Sequence, residues 1–165
     1  MAKDKDGHKE IRESVIDFIK QSYPQIELYV SHKSKGDIAL YISDTNEKEI
    51  EISQPDIVCL KNEKAFLIIE IELTSTPKHL LGVIFANALS KKGKYQGKCF
   101  PVDNLPLFLI VDFKDRLKDG SIKIPQIKAL ENQFSRICPK YTEGLTITTD
   151  KDWKNKLEPL LKKDC

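Results

Sequence analysis

Residues 54–77 read QPDIVCLKNEKAFLIIEIELTSTP, and this stretch decides the fold. Two runs of β-branched and apolar residues flank the polar turn at residues 61–64, a pattern that predicts a β-hairpin. Because side chains alternate between the two faces of a strand, Glu70 and Glu72 are expected on one face and Ile71 on the other. If the hairpin loop holds an odd number of residues, Asp56 lies opposite Glu70 on the same face.

Three carboxylates at one end of an apolar hairpin indicate a metal site. Like charges repel at short range, and burying them costs several kcal/mol unless another group compensates. Mg²⁺ is suited to this, because it prefers oxygen ligands and typically takes one or two protein carboxylates together with substrate phosphates. A solvent-facing strand gives the same alternation, as Glu-Ile-Glu-Ile at residues 49–52 illustrates. We favour the metal site because residues 70–72 follow the buried run 65–69 and pair with Asp56.

The chain resembles the PD-(D/E)XK nuclease superfamily in one short pattern: Pro55-Asp56, a turn, Glu70-Ile71-Glu72 on the next strand, and a helix after it. The resemblance covers roughly residues 9–114 as a pattern of elements and depends on Pro55, Asp56, Glu70 and Glu72. Glu72 stands where the family usually has Lys, a variant that some restriction enzymes of the superfamily also carry.

The resemblance implies an α/β fold: a single domain with a restriction-endonuclease-like αβββαβ core, in which helices flank a mixed central sheet. It further implies a Mg²⁺- or Mn²⁺-dependent endodeoxyribonuclease of restriction or defence type, or else a junction or repair nuclease. The chain has little room for a separate recognition domain, so cutting both DNA strands favours a homodimer, and a partner subunit of a larger DNA-processing system would fit as well. The alternative is a catalytically inactive nuclease-fold subunit that binds DNA or supports assembly.

The same resemblance gives roles to the residues of the hairpin. Asp56 and Glu70 are metal ligands, and the carbonyl of Ile71 is a third. Glu72 takes the position of the family Lys, where it either accepts a proton from the attacking water or holds a second metal ion.

Further candidates lie on the two helices nearest this stretch. In the family a glutamate of the first helix often reaches the metal site, and Glu13 or Glu10 would match it. Lys78, in the first turn of the helix that begins at Pro77, is another source of the missing positive charge. His79 beside it could act as a base. For each of these residues a solvated or structural role is the alternative.

The most basic segment of the chain is residues 90–98, which contains two Gly and is expected to be flexible. Such a segment can bind the DNA backbone through counterion release. Its candidate contacts are Lys91, Lys92, Lys94 and Lys98. A basic helix end favoured by the macrodipole is the alternative. Asp37, which follows a Gly at a strand start, is a rival for the Asp ligand, but it lacks an acidic pair on the next strand.

Hydrophobic periodicity predicts the remaining elements. The expected helices are residues 9–21, 77–91, 125–138 and 153–161, and the expected further strands are residues 26–31, 37–42, 49–52, 105–111 and 145–149, the last at a sheet edge. Residues 1–8 are expected to be disordered and residues 9–165 to form one nuclease-like domain.

The connection between the Glu70 strand and the buried strand 105–111 predicts where a ligand binds. A helix joins the two strands, so they should run parallel in a βαβ crossover. Ligands of such sheets bind beyond the carboxyl ends of the strands, where Glu70 and Glu72 lie. Gly82 in the connecting helix suggests that this helix approaches the sheet closely.

The amino-acid composition limits the function classes that the chain can belong to. The 165 residues are 40% hydrophobic and 32% charged with a net charge of +2, so any DNA contact must come from clustered Lys. The four cysteines form no CxxC pair, which excludes a zinc-ribbon pattern. No apolar run is long enough to cross a bilayer, and a cytoplasmic location is expected.

Overall fold

The computed structural model describes residues 3–31, 37–42, 49–73, 77–111, 129, 131–133 and 144–163. Within these ranges, the helices are α1 (Lys3–Ser22), α2 (Pro77–Leu89) and α3 (Trp153–Lys163). The strands are β1 (Glu27–Val30), β2 (Ala39–Tyr41), β3 (Glu51–Ser53), β4 (Ile57–Lys61), β5 (Lys64–Glu72), β6 (Lys92–Tyr95), β7 (Lys98–Pro101), β8 (Leu107–Val111) and β9 (Leu145–Thr149).

The strands form two sheets. The main sheet has the order β1-β4-β5-β8-β9, in which β4 is antiparallel to both β1 and β5, while β8 and β9 continue parallel to β5. The second sheet has the order β3-β2-β6-β7 and is antiparallel throughout. The prediction of a single α/β domain with a mixed central sheet is confirmed at this level, and β5 and β8 are parallel as expected.

Side-chain alternation along β5 divides the core into two layers. Leu67, Ile69 and Ile71 pack with apolar residues of α1 and α3 on one face of the main sheet. Ile68, on the other face, packs with α2 and with residues of the second sheet. Because the period of a strand is two, Glu70 shares the face of Ile68 and therefore faces α2.

Two features together set the register of the β4–β5 hairpin: the length of its loop and a β-bulge. Its loop holds two residues, Asn62 and Glu63, both with positive φ, so the odd-numbered loop considered above is wrong. A β-bulge between Cys59 and Leu60 then shifts the pairing by one residue. Ile57 consequently pairs with Ile69, and the next position along the ladder sets Asp56 opposite Glu70.

Two segments differ from the sequence-based expectation. Helix α1 begins at Lys3, so residues 3–8 continue the helix instead of forming a disordered end. A physical reason is that the contact between His8 and the Asp56 carboxylate stabilises the first turns of this helix. The basic segment after α2 is a β6–β7 hairpin, closed by a turn in which Gln96 and Gly97 have positive φ. The expectation of a flexible segment there is wrong.

Other predicted elements have simple outcomes. Strand β9 lies at the edge of the main sheet and α3 follows it, as predicted. The predicted helix 125–138 lies mostly outside the described residues, although residues 129 and 131–133 are helical. Among the helices described, none has the length and apolar character required to cross a membrane.

Gly82 does not approach the sheet. A Cβ built on it would meet no heavy atom within 4 Å, so the close approach inferred from the sequence is wrong. Gly93, in contrast, lies against Phe100, whose ring atoms would be 2.4 Å from an added Cβ. The Phe100 ring can pack against the backbone of β6 because Gly93 has no side chain.

These two glycines predict opposite effects of the same substitution. Gly82→Ala should raise the free energy of unfolding by about 0.5–1 kcal/mol, because Gly is unfavourable inside a helix and nothing obstructs the added methyl group. Gly93→Ala should lower it by about 1–3 kcal/mol through overpacking against Phe100. Urea unfolding of the two variants beside wild type measures both, and equal effects would contradict this account.

Candidate functional site

Asp56 and Glu70 meet at the carboxyl end of β5. The backbone N–H of Asp56 donates to Glu70 Oε2 at 3.3 Å, and the N–H of Ile71 donates to Asp56 Oδ2 at 2.9 Å. Asp56 thus continues the β4–β5 ladder with its side chain, one residue before β4 begins. The two carboxylates that the sequence predicts as metal ligands are brought together.

Glu70 is buried under a small polar network. Only 6% of the residue is exposed, and Oε1 accepts hydrogen bonds from Asn87 Nδ2 at 3.1 Å and from Ser53 Oγ at 3.4 Å. Burial raises the pKa of the Glu70 carboxyl to about 8, repulsion from Asp56 adds to the rise, and the Asn87 hydrogen bond opposes it. The ionised form of Glu70 therefore lacks compensation in the metal-free protein.

Glu72 lies on the same face and is partly exposed. Its Oε2 is 3.0 Å from Nε2 of His79, in the first turns of α2. Burial raises the pKa of the Glu72 carboxyl, while His79 opposes that rise and the negative charge of Asp56 adds to it. The pKa of each glutamate is raised by neighbouring carboxylates, so the three acidic groups form one electrostatic cluster.

Two basic side chains of α1 contact Asp56, and neither contact was predicted from the sequence. His8 Nε2 lies 3.1 Å from Oδ1 and 3.2 Å from Oδ2, and Arg12 Nη1 lies 3.9 Å from Oδ1. The hydrogen bond to Asp56 raises the pKa of His8 against the opposing effect of burial. A signal existed, because residues 8 and 12 continue the helical stripe of the buried Val15 and Ile19.

The glutamates of α1 lie elsewhere. Glu13 is exposed and forms an i,i+4 ion pair with Lys9 at 3.6 Å, and Glu10 is also exposed. In the described residues, α1 therefore contributes His8 and Arg12 to the cluster in place of an acidic ligand. Asp37, the rival for the Asp ligand, is exposed.

The candidate DNA-binding lysines lie in the second sheet, except for Lys91, which directly precedes β6. Lys92 and Lys94 both pair with Glu49, the first at 2.5 Å, and Lys91 is 3.5 Å from Asp103. The hydrogen bonds from Lys92 and Lys94 hold the pKa of Glu49 below its ordinary value. The remaining candidate, Lys98, lines a separate cavity of about 310 Å³. Lys78 is exposed on α2 beside His79 and lines the same pocket as that residue.

Ser31 fixes the position of the segment that carries Asp56. Its Oγ donates to the carbonyl of Pro55 at 2.6 Å and accepts from the N–H of Ile38 at 2.9 Å. Its own N–H donates to the Asp56 carbonyl at 2.9 Å, and its carbonyl accepts from Arg12 at 3.1 Å. One buried serine thereby joins β1, the strand start at Ile38, α1 and the Pro55-Asp56 turn.

The donor set is chemically suited to a hard cation. Asp56 and Glu70 offer carboxylate oxygens, and the carbonyl of Ile71 points to the same side of β5 as its N–H, which is bonded to Asp56. In the described residues, however, no group of three or more His, Cys, Asp or Glu is arranged to hold a metal ion. Protein donors, among them His8 and Asn87, occupy oxygens that a metal would use.

Comparisons of the chain with protein-family models, with curated proteins and with solved structures give no match.

The Ser31 contacts predict a large cost for a small change. Ser31→Ala leaves the buried Ile38 N–H and the Pro55 carbonyl without their partner, which should lower the free energy of unfolding by about 1–3 kcal/mol. Ser14→Ala is the matched control, because that hydroxyl is exposed and donates only to the Glu10 carbonyl of its own helix. Chemical denaturation compares the two, and similar small changes would contradict the role given to Ser31.

The pKa of Glu70 predicts a pH dependence of stability. With a pKa near 8 in the folded protein and an ordinary value of 4.5, Glu70 binds more protons folded than unfolded between these values. The free energy of unfolding of the metal-free protein should therefore fall as the pH rises from about 4.5 to 8.

Substitution of Glu70 tests that dependence. Glu70→Gln keeps the shape without the charge, so we expect a flatter pH profile and a variant more stable than wild type above about pH 8. Urea unfolding in EDTA across the pH range measures this, with the exposed Glu13→Gln as control. A Glu70→Gln profile parallel to that of wild type would contradict the buried, high-pKa carboxyl.

Proposed function

We propose that this chain is a Mg²⁺-dependent endonuclease that hydrolyses phosphodiester bonds in DNA, of restriction or defence type or acting in junction processing or repair. The observation that carries the proposal is the pairing of Asp56 with Glu70 at the carboxyl end of parallel strands, with Glu72 on the same face. The order α1, β1, β4, β5, α2, β8 around the main sheet also supports it, since it repeats the helix–strand order that the resemblance implies.

In this proposal Asp56, Glu70 and the Ile71 carbonyl would hold the metal ion. Bound there, the ion would lower the pKa of a water and stabilise charge on phosphate oxygens. Asn87 and Ser53 orient Glu70 through its Oε1. These contacts keep the carboxylate in place while solvent is excluded from it.

Glu72 is the proposed proton acceptor. It is partly exposed, its pKa is raised, and His79 holds its Oε2, which leaves Oε1 to take a proton from the attacking water. Arg12 and Lys78 would supply positive charge near the reacting phosphate in place of the family Lys. A homodimer would place two such sites on the two strands of a duplex.

A non-catalytic DNA-binding or assembly subunit is the second candidate. The observation in its favour is that no group among the described residues is arranged to hold a metal, with both oxygens of Asp56 engaged by His8. In that case the cations of α1 would compensate the acidic cluster permanently.

Cleavage assays separate the two candidates. Wild type is incubated with supercoiled plasmid and with circular single-stranded DNA, in Mg²⁺, Mn²⁺ or EDTA. We expect metal-dependent cleavage that Asp56→Asn and Glu70→Gln abolish and that Glu72→Gln lowers by about 10²–10⁴-fold, the usual contribution of general base catalysis. Glu13→Gln, an exposed glutamate of α1, should cleave like wild type.

Two outcomes of the cleavage assay would decide against parts of this proposal. Cleavage that survives both Asp56→Asn and Glu70→Gln would exclude this site. Binding of DNA without cleavage by wild type would favour the non-catalytic subunit. Titration calorimetry with Mn²⁺ alone, on wild type and Asp56→Asn, tests the metal site independently of any DNA substrate.

A further inference from the structure

An open groove of about 750 Å³ runs between α2 and β3, and the proposed function assigns no ligand to it. Its lining combines four apolar or small residues of α2 and β3 with three polar ones. They are Ile52, Ser53, Lys78, His79, Gly82, Val83 and Ala86. A volume of this size lies within the range of about 300–1,000 Å³ that is typical of ligand-binding clefts.

The groove adjoins the acidic cluster directly. Ser53, in one wall, donates to Glu70 Oε1 at 3.4 Å, and His79, in the other, lies 3.0 Å from Glu72 Oε2. A single layer of side chains therefore separates the groove from both carboxylates. A group bound in the groove would therefore lie next to the phosphate that reacts at the proposed site.

The chemistry of the lining fits one nucleotide strand. Ile52, Val83 and Ala86 offer apolar surface to the face of a base, and at Gly82 nothing lies within 4 Å of the position of a Cβ, so a flat group can rest against the helix. Lys78 is exposed on the same helix, where its charge can pair with a phosphate.

Burial of the carboxylates argues against an intact duplex. Asp56 is 9% and Glu70 6% exposed. Phosphates on the outside of a regular duplex would remain beyond the reach of these carboxylates.

We propose that the α2–β3 groove receives an unpaired nucleotide next to the reacting phosphate. The substrate is then single-stranded DNA, or the unpaired part of a flap, junction or frayed end. This inference rests on the proposed function and narrows its substrate class. An extended peptide paired with the edge of β3 is the competing occupant, and the test below distinguishes it.

The test fills the groove without changing the acidic cluster. Gly82→Leu places a side chain in the open space, and it should fold because Leu is a better helix former than Gly. Ser14→Leu adds the same bulk to an exposed face of α1 as a control. Ala86→Leu is a second groove variant, and circular dichroism checks that each variant is folded.

The probes are one labelled DNA sequence in three forms: single strand, blunt duplex, and duplex with an unpaired tail. We expect wild type to bind the single strand and the tailed duplex at least about tenfold more tightly than the blunt duplex in Ca²⁺, and to cleave them faster in Mg²⁺. Gly82→Leu and Ala86→Leu should lose this preference, while Ser14→Leu keeps it and Mn²⁺ binding is unchanged in all three.

The results separate this inference from the proposed function. Equal binding and cleavage of single strand and blunt duplex by wild type, or an unchanged preference in both groove variants, would overturn the inference and leave the nuclease proposal intact. A preference for the single strand that both variants lose, without cleavage in any metal, would support the groove and refute the nuclease. Absence of binding to all three DNA probes would overturn the inference, and binding of an extended peptide instead, lost in Gly82→Leu and Ala86→Leu, would identify the competing occupant.

Discussion

The structure depends on holding two carboxyl groups next to each other away from water. Asp56 and Glu70 are mostly buried and face each other across neighbouring strands, an arrangement that repulsion and desolvation both oppose. Helix α1 supplies cationic partners to one carboxylate, and α2 and β3 supply neutral donors to the other. Elements from across the chain therefore contact a few carboxylate oxygen atoms.

The second sheet is part of the same arrangement. Residues between β1 and β4 form β2 and β3, and Ser53 at the end of β3 reaches Glu70. The β6–β7 hairpin completes that sheet and packs Phe100 over Gly93. The second sheet thus contributes Ser53 to the acidic cluster and one wall of the groove, while Lys92 and Lys94 of its β6 strand pair with Glu49.

The sequence was sufficient for features that depend on local pattern. Continuous apolar runs identified β5 and β8, and Pro77 marked the start of α2, which together predicted a parallel pair with acidic residues at its carboxyl end. Features that depend on distant contacts could not be predicted. The positions of His8, Asn87 and Ser53 around the carboxylates follow from tertiary packing, and Gly82 could equally mark a close approach or an open surface.

The bulge at Cys59 and Leu60 has a consequence for how this chain can change over time. A two-residue turn alone would set Asp56 opposite Ile69, and the one extra residue of the bulge moves the partner to Glu70. A slip of β5 by one residue against β4 would turn Glu70 toward α1 and Ile69 toward α2. The position of the bulge therefore matters as much as the length of the turn in bringing Asp56 and Glu70 together.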